Sequence, residues 1–218
     1  MNKYSMSLLA ASVLAAGAVQ AADDFSIGAG LDYMYSDMDG SAQHVNRDFS
    51  SNSLWTTYVD FRHPLLMVPN VNFQATDISS DASGFDNKLR TYDFAFYYSP
   101  LELDTLTLNT GLNFRRYDGE LKSENKNYSD DSIMLYGAAE TLIPGTDLGA
   151  FADARVAHWD GDHSHDWKIG VSYVVFPEDV LKFKVRAGYR NLRVNYNQDS
   201  VQLDQHMDNW FLGAELRY

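Results

Sequence analysis

The stretch Trp159-Asp160-Gly161-Asp162-His163-Ser164-His165-Asp166 is the densest cluster of ligand-type side chains in this chain. The imidazoles of His163 and His165 with the carboxylates of Asp160 and Asp162 form a donor set suited to Zn²⁺ or Cu²⁺. His44, His158 and His206 could approach from other segments. An H-x-H pair in a polar loop is a loose pattern, and a solvated loop looks the same. Ser164 between two histidines suggests a nucleophile. Such chemistry needs a positioned base and an orienting partner, and the sequence identifies neither. No catalytic residue is assigned.

Acidic side chains crowd the segments 37–52, 78–88, 118–130, 159–166 and 194–206, with Asp166 counted among them. A solvated surface is the plain reading. A sharper one is capture of a divalent cation, Ca²⁺ or Mg²⁺, through oxygen ligands. Otherwise no cofactor is expected.

The whole chain of 218 residues has 17 basic and 30 acidic residues, for a net charge of −13. Nucleic acid is a poor partner for such a surface, because phosphates need a basic face. There is no cysteine, so neither a disulfide framework nor thiolate chemistry exists. No run of about 18 apolar residues is present to cross a bilayer as a helix.

Residues 1–21 read as an export signal: Lys3, an apolar stretch Met6–Val19, and small residues Val19 and Ala21 before a cleavage point. The mature domain is then 22–218.

What positions these groups is a period-2 alternation. Trp210, Leu212, Ala214, Leu216 and Tyr218 alternate with Phe211, Gly213, Glu215 and Arg217; Leu181, Phe183, Val185, Ala187 and Tyr189 alternate with Lys182, Lys184, Arg186, Gly188 and Arg190. In a strand such sets point to opposite faces. Similar patterns occupy 25–36, 53–63, 70–77, 89–98, 105–117, 147–158 and 167–175, and most weakly 131–142. Ten strands of about 9–12 residues, each with an aromatic-rich apolar face, suit tilted membrane crossings better than a sandwich. The expected fold is all-β, a single transmembrane antiparallel barrel of ten strands, or eight if 131–142 and a neighbour fail to pair.

Connections alternate short and long. The short ones, 64–70, 99–104, 143–147 and 177–180, hold all five prolines, and none is expected inside a strand. Short periplasmic turns and long external loops are the outer-membrane arrangement. Trp55, Trp159, Trp167 and Trp210 sit near long loops, as interface anchors would. The parity of Trp159 matches the lumen face and would need a bulge to turn it outward.

By the same parity Asp32, Asp60, Arg62, Asp93, Arg115, Glu140, Asp153, Arg155, Lys168, Lys182, Lys184, Arg186, Arg190, Glu215 and Arg217 face the lumen. Buried charges must be paired or hydrated. In so narrow a barrel they are expected to form a plugging charge network, with a narrow, weakly anion-preferring diffusion pore along Lys182–Arg190 as the alternative.

The closing row Trp210, Leu212, Ala214, Leu216, Tyr218 resembles the C-terminal signal read by the barrel assembly machinery, with Tyr218 in place of the commoner phenylalanine. The stretches HPLLMVPNVNFQATD, YYSPLELDTLTLNTGLNFRRYDG, LIPGTDLGAFADARVAHWDGD and RAGYRNLRV resemble a family of small Gram-negative outer-membrane barrels of unassigned function. The resemblance spans most of the mature chain. It implies location in the cell outer membrane, among its lipid and lipopolysaccharide, and no catalytic residues. The leading expectation is a structural or surface-interaction role through acidic extracellular loops. A rim hydrolase is the third reading, since ten-stranded outer-membrane proteases use rim aspartates and an Asp–His pair. No motif of theirs is matched.

Overall fold

The computed structural model describes residues 25–42, 45–49, 53–65, 67–82, 85–121, 126–157, 164–175, 180–198 and 201–218. The strands are β1 (Ser26–Ala42), β2 (Val45–Phe49), β3 (Ser53–Arg62), β4 (Asn70–Ala82), β5 (Phe85–Leu103), β6 (Leu106–Leu121), β7 (Lys126–Leu142), β8 (Leu148–Val156), β9 (His165–Val174), β10 (Lys182–Gln198) and β11 (Val201–Arg217). All pairings are antiparallel. Strand β1 pairs with both β3 and β11, so the sheet closes on itself. The last residue completes the seam: Tyr218 N–H donates to Ile27 O at 2.8 Å, and Ile27 N–H donates back at 3.0 Å. Closure leaves no wall edge to be satisfied by water, which is what a strand-built membrane crossing requires.

Ten strands form the wall. Among the described residues the short β2 pairs only with the distal end of β1, from Met38↔Phe49 to Ala42↔Val45. The eight-stranded alternative falls, because β7, the weakly patterned segment, pairs with β6 from Leu106↔Thr141 to Leu121↔Lys126 and with β8 on its other side.

Several strands outrun their apolar alternation. Pairing of β10 with β11 continues from Lys182↔Arg217 to Gln198↔Val201, so most of the segment read as a loop at 194–206 is a hairpin. The same holds for much of 37–52, 78–88 and 118–130. The alternation of polarity in the sequence ends there while the hydrogen-bonded ladder runs on.

The opposite end has tight connections. In Ile143–Asp147 the Thr146 N–H donates to Ile143 O, and Gly145 takes φ +77°, which only glycine adopts freely. The expectation that no proline lies in a strand needs correction. Pro100 falls inside β5, at the register shift between Tyr98 and Leu101. A bulge there releases the ladder position that proline cannot fill. Pro177 lies outside the described residues.

The outer wall is apolar. Phe94, Phe114, Ile133, Ile169, Val171 and Leu212 all point out of the barrel and are exposed. Trp55, Trp167 and Trp210 face outward as well. Trp55 stacks obliquely on Tyr33 at 4.6 Å, and Tyr189 sits between Trp167 and Trp210 at 5.6 and 5.3 Å. Trp159 lies outside the described residues.

Candidate functional site in the barrel lumen

The inward faces of the strands converge on a buried polar network that fills the barrel in layers. At its centre is Asp166. Arg190 grips it with two parallel hydrogen bonds, Nε to Oδ1 and Nη2 to Oδ2, both 2.7 Å. Arg115 Nη2 reaches the same carboxylate at 2.5 Å from β6. Arg115 also forks onto Asp93, at 2.7 Å through Nε and 2.9 Å through Nη2. The side chains of Arg115, Asp93 and Asp166 are each 0% exposed. Thr56 and Thr76 accept from Arg190, and Asn113 donates to Asp93. Bidentate arginine–carboxylate pairing of this kind is strong and geometrically specific, and it offsets the cost of taking the charges out of water.

A second layer lies toward the short-turn end. Asp60 accepts from Tyr97 Oη at 2.7 Å, Arg62 Nε at 3.0 Å and Arg217 Nη1 at 3.2 Å. Glu215 accepts from Tyr58 Oη at 2.8 Å and Arg217 Nε at 2.9 Å, with Arg186 and Lys184 beside it. Lys184 also hydrogen-bonds Glu140, and Arg155 hydrogen-bonds Asp153. The Arg186 guanidinium stacks over Phe151 at 4.3 Å, and Arg155 over Tyr136 at 5.2 Å. Room for these large side chains comes from glycine: a Cβ on Gly30 would stand 2.2 Å from the Tyr58 ring.

A third layer caps the network toward the long hairpins and is apolar. Met34, Leu54, Ile78, Leu89, Leu192 and Met207 are buried together inside the barrel, with Phe211 and Tyr117. The polar lock thus lies below and the apolar cap above it, toward the long hairpins. A cavity of about 90 Å³ lies between the lock and the short-turn end.

The expected lumen residues Asp32, Asp60, Arg62, Asp93, Arg115, Glu140, Asp153, Arg155, Lys168, Lys184, Arg186, Arg190, Glu215 and Arg217 lie within this interior. Lys182 does not: it is exposed at the end of β10. Asp166, read from sequence as a loop acid, is the hub instead, opposite Arg155 in the register of β8 and β9. Its two-residue spacing from Lys168 was the available signal, masked because the apolar alternation begins only at Trp167. The buried tyrosines Tyr58, Tyr97 and Tyr136 and the apolar cap were also missed.

Of the candidate metal ligands, Asp160, Asp162 and His163 lie outside the described residues, as do His44 and His158. His165 is on the outer wall side of β9, with Nε2 2.8 Å from Asn191 Oδ1. Asn191 also contacts His206 and donates to Asp208. Among the described residues no group of three or more His, Asp or Glu is placed to hold a metal. Ser164 is buried, and the neighbouring Asp166 is occupied by two arginines. The row Trp210, Leu212, Ala214, Leu216 and Tyr218 runs along the outward face of β11.

No family model matches the chain, and no curated protein matches it. Solved structures do. The outer-membrane protease OmpT from Escherichia coli aligns at a TM-score of 0.52 with 8% identity, covering 90% of this chain and 97% of that one. Neisserial surface protein A aligns at 0.46 with 12% identity, over 89% and 97%. Ail, the attachment invasion locus protein of Yersinia pestis, aligns at 0.38 with 12% identity, over 89% and 99%. At such identities the OmpT likeness speaks to architecture alone: the chain has the closed, ten-stranded antiparallel barrel fold seen among Gram-negative outer-membrane proteins.

Proposed function

We propose that this protein is a non-conducting barrel of the outer membrane that anchors and displays acidic extracellular hairpins. The observation carrying this reading is the filled lumen. A fully buried Arg115–Asp93–Asp166–Arg190 lock lies under an apolar cap formed by residues such as Leu54, Leu89 and Leu192. A pore for solutes needs a continuous wet path, and each of these layers opposes one. The same packing disfavours a rim hydrolase, since Asp166 is held by two arginines and His165 faces outward. What projects from the wall is long paired hairpin, and β10–β11 extends nine residues beyond Trp210 to Val201. At about 3.3 Å per residue this reaches well past the aromatic belt, even when tilted. The acidic character of these hairpins suits contact with divalent cations and, through them, with lipopolysaccharide phosphates. The outward row ending at Tyr218 suits recognition by the barrel assembly machinery.

Liposome swelling tests the reading. Vesicles holding the refolded mature protein should admit small sugars and amino acids no faster than empty vesicles. Faster, size-limited swelling would transfer the function to diffusion.

A further inference from the structure

The connection between β3 and β4 differs in chemistry from the other short connections. Residues 64–70, Pro-Leu-Leu-Met-Val-Pro-Asn, hold no charged side chain. By contrast 99–104 carries Glu102 and Asp104, 143–147 carries Asp147, and 177–180 carries Glu178 and Asp179. Yet the apolar side chains of this turn point away from the protein: Met67 is 83% exposed, Leu65 57% and Val68 47%. Apolar surface gathered in this way marks a contact.

The turn also satisfies its backbone from within. Val68 N–H donates to Leu65 O at 3.3 Å, and Leu65 N–H donates to His63 Nδ1 at 3.1 Å. With Nδ1 accepting, the ring proton is on Nε2, which stands 3.2 Å from Pro69 O. His63 is buried, and its own N–H donates to Asn70 Oδ1 at 3.0 Å. Pro64 and Pro69 have no N–H to satisfy. In water a turn needs no such provision, because solvent bonds its amides. Against hydrocarbon the provision is required.

The turn lies against the outside of the wall. Tyr98 shares the outward parity of Phe94 and Phe96 on β5, and its Oη donates to Met67 O at 3.3 Å. Phe61, outward on β3 and 40% exposed, has its ring 6.0 Å from that of His63. The apolar surface of the turn therefore continues the lipid-facing surface of the strands.

We infer that the β3–β4 turn is a lipid anchor: Leu65, Met67 and Val68 enter the inner leaflet of the outer membrane on one side of the barrel. Acyl chains, rather than a protein, are their cover, because a protein-docking patch carries a polar rim and 64–70 has no charge to supply one. This role is separate from that of the hairpins at the opposite end, and it does not depend on whether the lumen is sealed.

The test is a nitrobenzoxadiazole fluorophore attached at Met67→Cys, in the refolded mature protein in phosphatidylcholine vesicles. The chain has no cysteine of its own, so the label is specific. Its emission should be blue-shifted relative to the same probe at Ser129→Cys in the β6–β7 hairpin. It should be quenched by nitroxide-labelled phospholipid and spared by iodide present on both sides of the membrane. Water-like emission quenched by iodide would put the turn in solvent and overturn the inference. Blue-shifted emission untouched by nitroxide lipid would mean a protein cover, such as a second copy, and would equally overturn it. Should the label at position 67 prevent folding, judged by heat-modifiable gel mobility, Val68→Cys is read by the same criteria.

Discussion

Arg190 holds Asp166 through two parallel 2.7 Å hydrogen bonds, and Arg115 closes on the same carboxylate from the other side of the lumen. One aspartate thus ties β9, β10 and β6 together across the barrel interior. Replacing it leaves the Arg190 guanidinium buried without a counter-charge and takes from Arg115 one of its two carboxylates, leaving it Asp93. We expect Asp166→Asn to lower stability by about 3–5 kcal/mol. Urea unfolding in lipid vesicles checks this; a loss below about 1 kcal/mol would show that the lock adds little beyond packing.

The apolar cap makes a separate prediction. Leu192 is 2% exposed amid Met34, Leu54 and Met207. Leu192→Ala removes buried methyl groups and opens a void, with a cost of about 2–5 kcal/mol. The outward Leu212, 62% exposed, is the control. Its truncation in detergent should cost far less, and equal losses at both positions would place Leu192 on the wrong face.

Glycines separate in the same way. A Cβ on Gly30 meets the Tyr58 ring at 2.2 Å, whereas one on Gly137 meets nothing nearer than 4.0 Å. Gly30→Ala should displace Tyr58 from Glu215 and cost about 1–3 kcal/mol, while Gly137→Ala should be close to neutral. Paired unfolding curves read this directly, and similar midpoints for the two variants would refute the close packing of Tyr58.

Orientation can be read from cysteine labelling, on a chain with no cysteine of its own. Ser129, in the β6–β7 hairpin, and Thr105, in the tight β5–β6 connection, are both exposed at opposite ends of the barrel. A membrane-impermeant maleimide should label Ser129→Cys on intact cells, and Thr105→Cys only after the outer membrane is permeabilised. The reverse pattern would invert the topology.

Much of this architecture was legible in the sequence because two-faced strands write their burial into every second residue. That parity put Asp93, Arg115, Arg155 and Arg190 inside the barrel. It failed where the two faces stop differing. Met34, Leu54, Leu89 and Leu192 share the lumen parity, yet they are as apolar as the wall, so nothing marked them as interior. Asp166 failed for the opposite reason: it opens β9 directly after an acidic segment, and polarity alone could not divide strand from loop. The partnership of Asp166 with Arg115 spans 51 residues and depends on strand register, which no local pattern encodes.

The claim on which the functional reading rests is that the lumen is sealed. Planar-bilayer recording of the refolded mature protein, after heat-modifiable mobility confirms folding, addresses it most directly. The account predicts a silent membrane across the usual voltage range. Discrete, reproducible conductance steps with anion preference, reduced by substituting Lys184 and Arg186, would contradict it and make the lumen a pore.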